Sequence, residues 1–249
     1  MMLYSQILFN IWCHDKSKWR TIFNHLGNEF SILLINEFLK YDENKISLEM
    51  ARDSVQNKLA RFSQYMRFGS YTSIKHVCEA IFTTSNVIYQ TYYQCPDNPI
   101  HRKLHSEFYT IYMSKGWAPF RSTSEWMQTN SQQRTNCCES CYQPVNIETT
   151  FVVPPPLLVL EFSSSTTDTD HSLELTHLGE LHRYNIAGVI YYRDYHFISH
   201  IITPDKQIWF YDGLNTEGQM LYLGSLEAHQ PLLTTSRGGS ASAAIYIPA

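Results

Sequence analysis

The sequence predicts an α+β protein, and three observations carry that expectation. Apolar residues recur at three- and four-residue spacing through the first third of the chain, β-branched and aromatic runs of strand length fill the second half, and the two patterns do not alternate. Such an order argues for a helical part followed by a largely antiparallel sheet rather than repeated βαβ units. With 249 residues, 43% of them hydrophobic and 14% aromatic, the chain can bury one elaborate core and is too apolar for disorder.

Helical spacing runs through Leu3, Ile7, Leu8 and Ile11, then Trp19, Ile22, Phe23 and Leu26, then Leu33, Leu34 and Phe38. A fourth helix follows the start signal Ser47 with Glu49, through Ala51, Val55, Leu59 and Phe62, and a fifth runs through Ile74, Val77, Ala80 and Ile81. Strands begin at Val87-Ile88-Tyr89 and Thr91-Tyr92-Tyr93, ahead of turn residues from Pro96 to Pro99. Pro154, Pro155 and Pro156 lead into Leu157 to Phe162, an apolar run that suits a central strand covered on both faces. Ser163 to Asp170 reads as a solvated loop. Tyr184 to Tyr192, Phe197 to Ile202 and Gln207 to Tyr211 are further strands, and a short last one spans Ala243 to Ile247.

A formal net charge of −4 and scattered Lys and Arg leave no basic stripe to neutralise phosphates, so nucleic acid is not expected as a direct partner. Met1 to Trp12 is apolar but broken by Ser5, Gln6 and Asn10, with no preceding basic residue, which fits neither a secretory signal nor a membrane span. An intracellular protein, in cytoplasm or nucleus, is expected. There the six cysteines serve as thiols, metal ligands or nucleophiles rather than disulfides.

Thr203-Pro204-Asp205-Lys206 reads as a turn joining two strands into a hairpin. If the turn is centred on Pro204, His196 lies directly opposite Asp212 on one face, roughly 5 Å apart at Cβ. A neutral imidazole there can take a proton from a nucleophile while the carboxylate on its other nitrogen fixes tautomer and orientation, although such a pair is also a common surface ion pair. His196 and His200 cannot share a metal ion, since four strand residues cover about 13 Å. His200, His171, His177 and His182 read as loop or surface histidines.

Tyr184 to Tyr192 with its Ala187-Gly188-Val189-Ile190, then His196-Phe197, then Trp209-Phe210-Tyr211-Asp212-Gly213, resembles the histidine box of ubiquitin-specific proteases. The Pro154 to Phe162 segment is similar to the proline-led strand ahead of that box. The resemblance implies a papain-like cysteine peptidase fold, with a helical thumb at 1–90, fingers at 91–150 and an antiparallel β palm at 151–249. It also implies His196 as general base, Asp212 as its orienter, and ubiquitin or a ubiquitin-like modifier, SUMO among them, as partner. The sequence departs from the box at Tyr195, where the family usually has glycine. Its Ala-Gly-Val-Ile-Tyr-Tyr and Tyr-Asp-Gly wording looks closest to SUMO-specific isopeptidases and to Kyakuja-Dileera-Zisupton transposon-associated peptidase domains.

Cys138-Glu139-Ser140-Cys141 is a C-x-x-C knuckle that sets two thiolates at zinc spacing, with Cys137 beside it. The rest of a site belongs upstream, where Cys95 has His101 and His105 nearby; free structural or redox cysteines are the alternative. By resemblance, Cys95, Cys138 and Cys141 correspond to a degenerate form of the family's finger-tip zinc site, structural zinc being the implied cofactor.

The family nucleophile is a cysteine at a helix N-terminus, where the dipole and free amides lower its pKa. By that resemblance Met1 to Trp12 is the body of the helix, which places the nucleophile a few residues before Met1. Cys13 falls at the helix's far end, and Cys78 reads as core. No G-x-S-x-G elbow or phosphate-binding glycine loop occurs, and Gly239-Ser240 reads as part of a small-residue tail. Two functions remain open: a thiol-dependent isopeptidase, or a peptidase-fold binding module or decayed remnant without activity.

Overall fold

The computed structural model describes residues 2–249 except 63–66, 68–73, 97, 99, 109–110, 114–120, 130–135, 139, 163–166, 214, 217–218 and 229–234. Among the described residues five helices come first: α1 (Met2–His14), α2 (Lys16–Leu26), α3 (Glu29–Asp42), α4 (Leu48–Phe62) and α5 (Ile74–Phe82). Three of the starts have a local cause. The Asp15 carboxylate accepts from the Lys18 amide at 2.9 Å to open α2, and the Ser47 hydroxyl accepts from the Met50 amide to open α4. Asn28 opens α3 by accepting from the Phe30 and Ser31 amides, while its side-chain NH2 donates to the carbonyls of Ile81 and Thr83. One side chain thus caps α3 and ties it to the end of α5.

Strands β1 (Tyr89–Gln94), β2 (Arg102–Glu107), β4 (Asn136–Cys137) and β5 (Pro144–Phe151) form a four-stranded sheet in the order β2-β1-β5-β4. The larger sheet contains β3 (Ile111–Met113), β6 (Leu158–Glu161), β8 (Glu180–Arg193), β9 (His196–Ile202), β10 (Gln207–Tyr211), β11 (Met220–Ser225) and β13 (Gly239–Pro248) in the order β11-β10-β9-β8-β13-β6-β3. Strand β7 (Ser172–His177) adds to β8, and β12 (Thr235–Ser236) adds to β13. The β3–β6 ladder is parallel and the others are antiparallel. Helices followed by mostly antiparallel sheets make the chain α+β. A sixth helix, α6 (Thr123–Thr129), is too short to show periodicity in the sequence.

The large sheet is covered on both faces, which explains its near-continuous apolar strands. Val159, Ile190, Ile201, Tyr211 and Ile245 pack with Ile7, Trp12, Phe23 and Leu34 of the helices. Their alternates Leu158, Val189, Ile198, Phe210 and Tyr246 pack with Trp126 of α6 and Leu173 of β7. The last strand corrects the sequence expectation. Gly239 and Ser240 belong to a ten-residue strand between β8 and β6, not to a tail. Small residues are needed there: a Cβ on Gly239 would come within 3.2 Å of the Arg193 Cβ and 3.3 Å of the Tyr191 Cβ.

Helix α1 lies lengthwise on the sheet. A Cβ on Gly188 would meet the Ile7 side chain at 2.9 Å, so glycine lets helix and strand approach. His14, at the carboxyl end of α1, feels the charge of Asp205 in the β9–β10 turn. The amino end of α1 is therefore directed toward the other end of that hairpin, where His196 begins β9.

Candidate active site and metal cluster

His196 follows a two-residue turn. Arg193 pairs with His196, and Asp194 and Tyr195 between them have φ of 47° and 62°, both left-handed, as a type I′ hairpin turn requires. The His196 Nε2 lies 2.8 Å from Asp212 Oδ1; the imidazole side chain is 30% exposed and the carboxylate 8%. Asp212 stands just past the end of β10 and is held from its other side. The Asn215 amide donates to Oδ1 at 3.1 Å, the Asn215 side-chain NH2 donates to Oδ2 at 2.7 Å, and the Thr216 hydroxyl donates to the Asp212 carbonyl. With Nε2 as the donor to Asp212, the tautomer leaves Nδ1 as the lone-pair nitrogen, the one able to take a proton.

The two residues meet, but not by the register expected. Strand β9 pairs with β10 as Ile202 with Ile208 and Tyr211 with Ser199, so the turn is centred on Asp205 rather than Pro204. The Lys206 amide donates to the Thr203 carbonyl at 2.8 Å and Lys206 takes φ 60°, a type I turn closed by a left-handed residue. The extra residue moves Asp212 opposite Ile198, one diagonal step from His196. A two-residue displacement preserves the face, and long side chains reach across the diagonal.

His200 corrects a second expectation. It is 3% exposed, with Nδ1 2.9 Å from the Tyr191 hydroxyl and Nε2 2.9 Å from the Ser236 hydroxyl. It is a hydrogen-bonded core histidine, because a buried imidazole must satisfy both nitrogens. Burial pushes the Tyr191 phenol well above its ordinary pKa, so it stays a neutral partner. His177 and His182 sit on β7 and β8 rather than in loops, half-buried with ring centroids 6.2 Å apart, and His171 immediately precedes β7.

The cysteines converge at one end of the four-stranded sheet. Cys95 leaves β1 and His101 precedes β2, while Cys138 follows β4 and Cys141 precedes β5; adjacent strands β1 and β5 bring the two hairpin loops together. The three sulfurs and a His101 ring nitrogen lie within 4.8 Å of one another. Cys95 Sγ is 3.4 Å from Cys141 Sγ, and Cys138 Sγ is 3.5 Å from His101 Nδ1. A tetrahedral zinc with arms of about 2.3 Å to sulfur requires donors about 3.7 Å apart, so the Cys3His set fits zinc. The Asn98 amide faces His101 Nε2 at 3.3 Å and so fixes the ring that presents Nδ1.

The amides of Ser140 and Cys141 pull the Cys138 thiol down to about 7, a turn geometry that favours thiolate. At Cys141 the Gln143 amide acts the same way, but the Cys95 sulfur, burial and the Cys138 sulfur outweigh it and raise the thiol to about 11. The clash of adjacent sulfurs is what a cation would relieve. His105 points elsewhere, on β2 with its ring 5.4 Å from Tyr93. The Cys78 and Cys137 side chains lie outside the described residues. Cys13 is the penultimate residue of α1, at the carboxyl end of the helix. Burial raises its pKa, with Asp42 adding to the effect and Lys16 opposing it.

Sequence comparison finds no matching family model and no matching curated protein. Structure comparison does find likeness. A SAGA DUB module of Ubp8, Sgf11, Sus1 and Sgf73 bound to monoubiquitin, its Ubp8 carrying a cysteine-to-alanine substitution, aligns with a TM-score of 0.58 at 11% identity, covering 89% of this chain and 59% of that chain. The Ubp8/Sgf11/Sus1/Sgf73 DUB module bound to ubiquitin aldehyde aligns at 10% identity with a TM-score of 0.47, covering 88% and 54%. The first likeness shows that this chain shares its fold with a chain of that module, and it spans about three fifths of that chain's length. Among the described residues no helix is long and apolar enough to cross a membrane.

Proposed function

We propose that the chain is the ubiquitin-engaging domain of a thiol-dependent isopeptidase of the ubiquitin-specific protease type. In this reading α1 to α5 are the thumb (1–90), the four-stranded sheet with its metal cluster the fingers (91–150), and the large sheet the palm (151–249) of a papain-like fold. The carrying observation is the 2.8 Å contact between His196 Nε2 and Asp212 Oδ1, at the sheet end toward which the amino end of α1 is directed. His196 Nδ1 would take the proton from a cysteine thiol at that helix end. The thiolate would attack the carbonyl of the modifier's last residue, and the imidazolium would return the proton to the departing lysine amine. Asp212 would hold the tautomer and offset the imidazolium charge. Zinc in the fingers would fix the two hairpin loops without entering the chemistry.

Ubiquitin is the modifier we propose, since the structure of like fold is a monoubiquitin complex; the SUMO and transposon-domain readings rest on the Ala187 to Tyr192 wording alone. The second reading, a ubiquitin-binding module without hydrolysis, is favoured by one observation. Among the cysteines whose side chains are described, Cys13 stands at the wrong end of α1, and Cys95, Cys138 and Cys141 belong to the candidate metal cluster. An electrophilic ubiquitin probe and calorimetric ubiquitin binding separate the two. Labelling abolished by His196→Ala supports the isopeptidase, binding without labelling supports the module, and neither binding nor labelling rejects both.

A further inference from the structure

The Cys3His cluster holds its three sulfurs in unequal positions. Cys95 is 0% exposed and shares an apolar cluster with Val145 and Ile147, and Cys138 is 8% exposed. Cys141 alone of the three is only partly buried. Its Sγ lies 3.4 Å from the Cys95 Sγ, which is van der Waals contact, while the Cys138 Sγ has the His101 Nδ1 at 3.5 Å. A sulfur within reach of solvent therefore rests against one that is shielded from it. Cys95 and Cys141 are 46 residues apart, on different hairpin loops that the pairing of Gln94 with Asn146 brings side by side.

An accessible cysteine in contact with a second sulfur is the arrangement of a reacting thiol beside a resolving one. We propose that Cys141 is a site of oxidation by hydroperoxides and Cys95 its resolving cysteine, so that the two loops are held either by a metal ion or by a Cys95–Cys141 disulfide. A cysteine ligates a metal as its thiolate, which is also the nucleophilic form. The Cys141 sulfur attacks the hydroperoxide and the O–O bond breaks. The hydroxyl stays on sulfur as a sulfenic acid, and the other oxygen leaves as hydroxide or alkoxide. The Cys95 thiolate then attacks the sulfenic sulfur, the S–S bond forms, and hydroxide leaves. Two electrons have passed from the two sulfurs to the peroxide, and water protonates the departing oxyanions. The sulfurs have only to close from 3.4 Å to a bond of about 2.05 Å.

The disulfide removes two of the four donors. Cys138 and His101 remain, half of a tetrahedral set, so zinc is released. The new covalent link keeps the two loops joined, and reduction by a thiol with zinc present restores the first state.

The test treats zinc-loaded chain with hydrogen peroxide, quenches with catalase, and reads released zinc with a chromogenic dye and the linkage by peptide mass mapping without reductant. Proteolysis after Glu139 separates Cys138 from Cys141, so the pairing is assigned directly. The expected result is about one zinc released for each Cys95–Cys141 link, reversed by dithiothreitol with added zinc. In Cys95→Ser the sulfenic acid has nothing to resolve it, so dimedone should label Cys141 there and not in the unsubstituted chain. If that variant fails to fold, the mapping of the unsubstituted chain decides alone. A Cys138–Cys141 link, a link through any other cysteine, or zinc release with no link overturns the assignment. Zinc held through the treatment, or a chain that takes up none, overturns it as well.

Discussion

His196 and Asp212 meet on a diagonal of the β9–β10 hairpin, with Nε2 2.8 Å from Oδ1, although Asp212 faces Ile198 in the ladder. Asn215 completes the arrangement by donating twice to the same carboxylate. The geometry specifies a tautomer. In 15N-labelled protein at neutral pH the His196 proton should reside on Nε2, and Asp212→Ala should give the mixed tautomer pattern of a free imidazole. Asn215→Ala, which loosens the carboxylate without removing it, should fall between. A Nδ1–H tautomer in the unsubstituted protein would contradict the assignment of donor and base nitrogens.

The metal cluster should carry about one zinc per chain by elemental analysis. His101→Ala or Cys138→Ser should lower that occupancy and melt the four-stranded sheet's hairpin loops first, seen as lost amide protection near Cys95 and Cys141. Full occupancy in His101→Ala would remove His101 from the ligand set.

Zinc binding should depend on pH with a definite sign. Cys138, held at about 7, is largely thiolate above neutral pH, whereas Cys141, pushed up to about 11, is still protonated and must release its proton to the buffer on binding. Below pH 7 Cys138 also has to release one, so affinity falls by about a further tenfold per unit. Calorimetry in buffers of different ionisation enthalpy reads both effects, and a pH-independent affinity between about 5 and 8 would contradict them.

Gly188→Ala should push α1 off β8, because the new methyl would stand 2.9 Å from the Ile7 side chain. Such overpacking costs about 1–3 kcal/mol. Ile7→Ala in the same chain opens the space, so the double variant should be more stable than the sum of the two losses predicts. Strict additivity in denaturant titrations would show that the contact is not where α1 seats.

Ser236→Ala removes a buried hydrogen bond to His200 and should cost about 1–3 kcal/mol. Ubiquitin affinity should be unchanged, since the site is walled off inside the sheet's second core. Cys13→Ser should leave stability within about 0.5 kcal/mol and any probe labelling intact.

These sites differ in how far the sequence disclosed them, for local physical reasons. His196 and Asp212 were readable because their strands and intervening turn are contiguous in the chain. Their exact register was not, because Lys206 adopts left-handed φ without the glycine that usually marks it. His200 looked like a surface residue because its partners Tyr191 and Ser236 sit 9 and 36 residues away, and periodicity carries no word of them. Asn215 could have been found, since an acid followed three residues later by Asn is a common turn-capping pattern. Strand β13 hid behind Gly239-Ser240-Ala241, residues poor in strand propensity that are small because they cross the middle of a crowded sheet. The convergence of Cys138 and Cys141 was legible from spacing, with Cys95 as their upstream complement, while the choice of His101 over His105 needed the β1–β2 hairpin to close.

The most direct test of the central claim is a ubiquitin titration of 15N-histidine-labelled chain, followed at the His196 imidazole. Saturable binding should shift His196 while the walled-off His200 stays put, and ubiquitin lacking its carboxyl-terminal tail should lose the His196 shift. Binding that leaves His196 unmoved, or no binding, would contradict the claim.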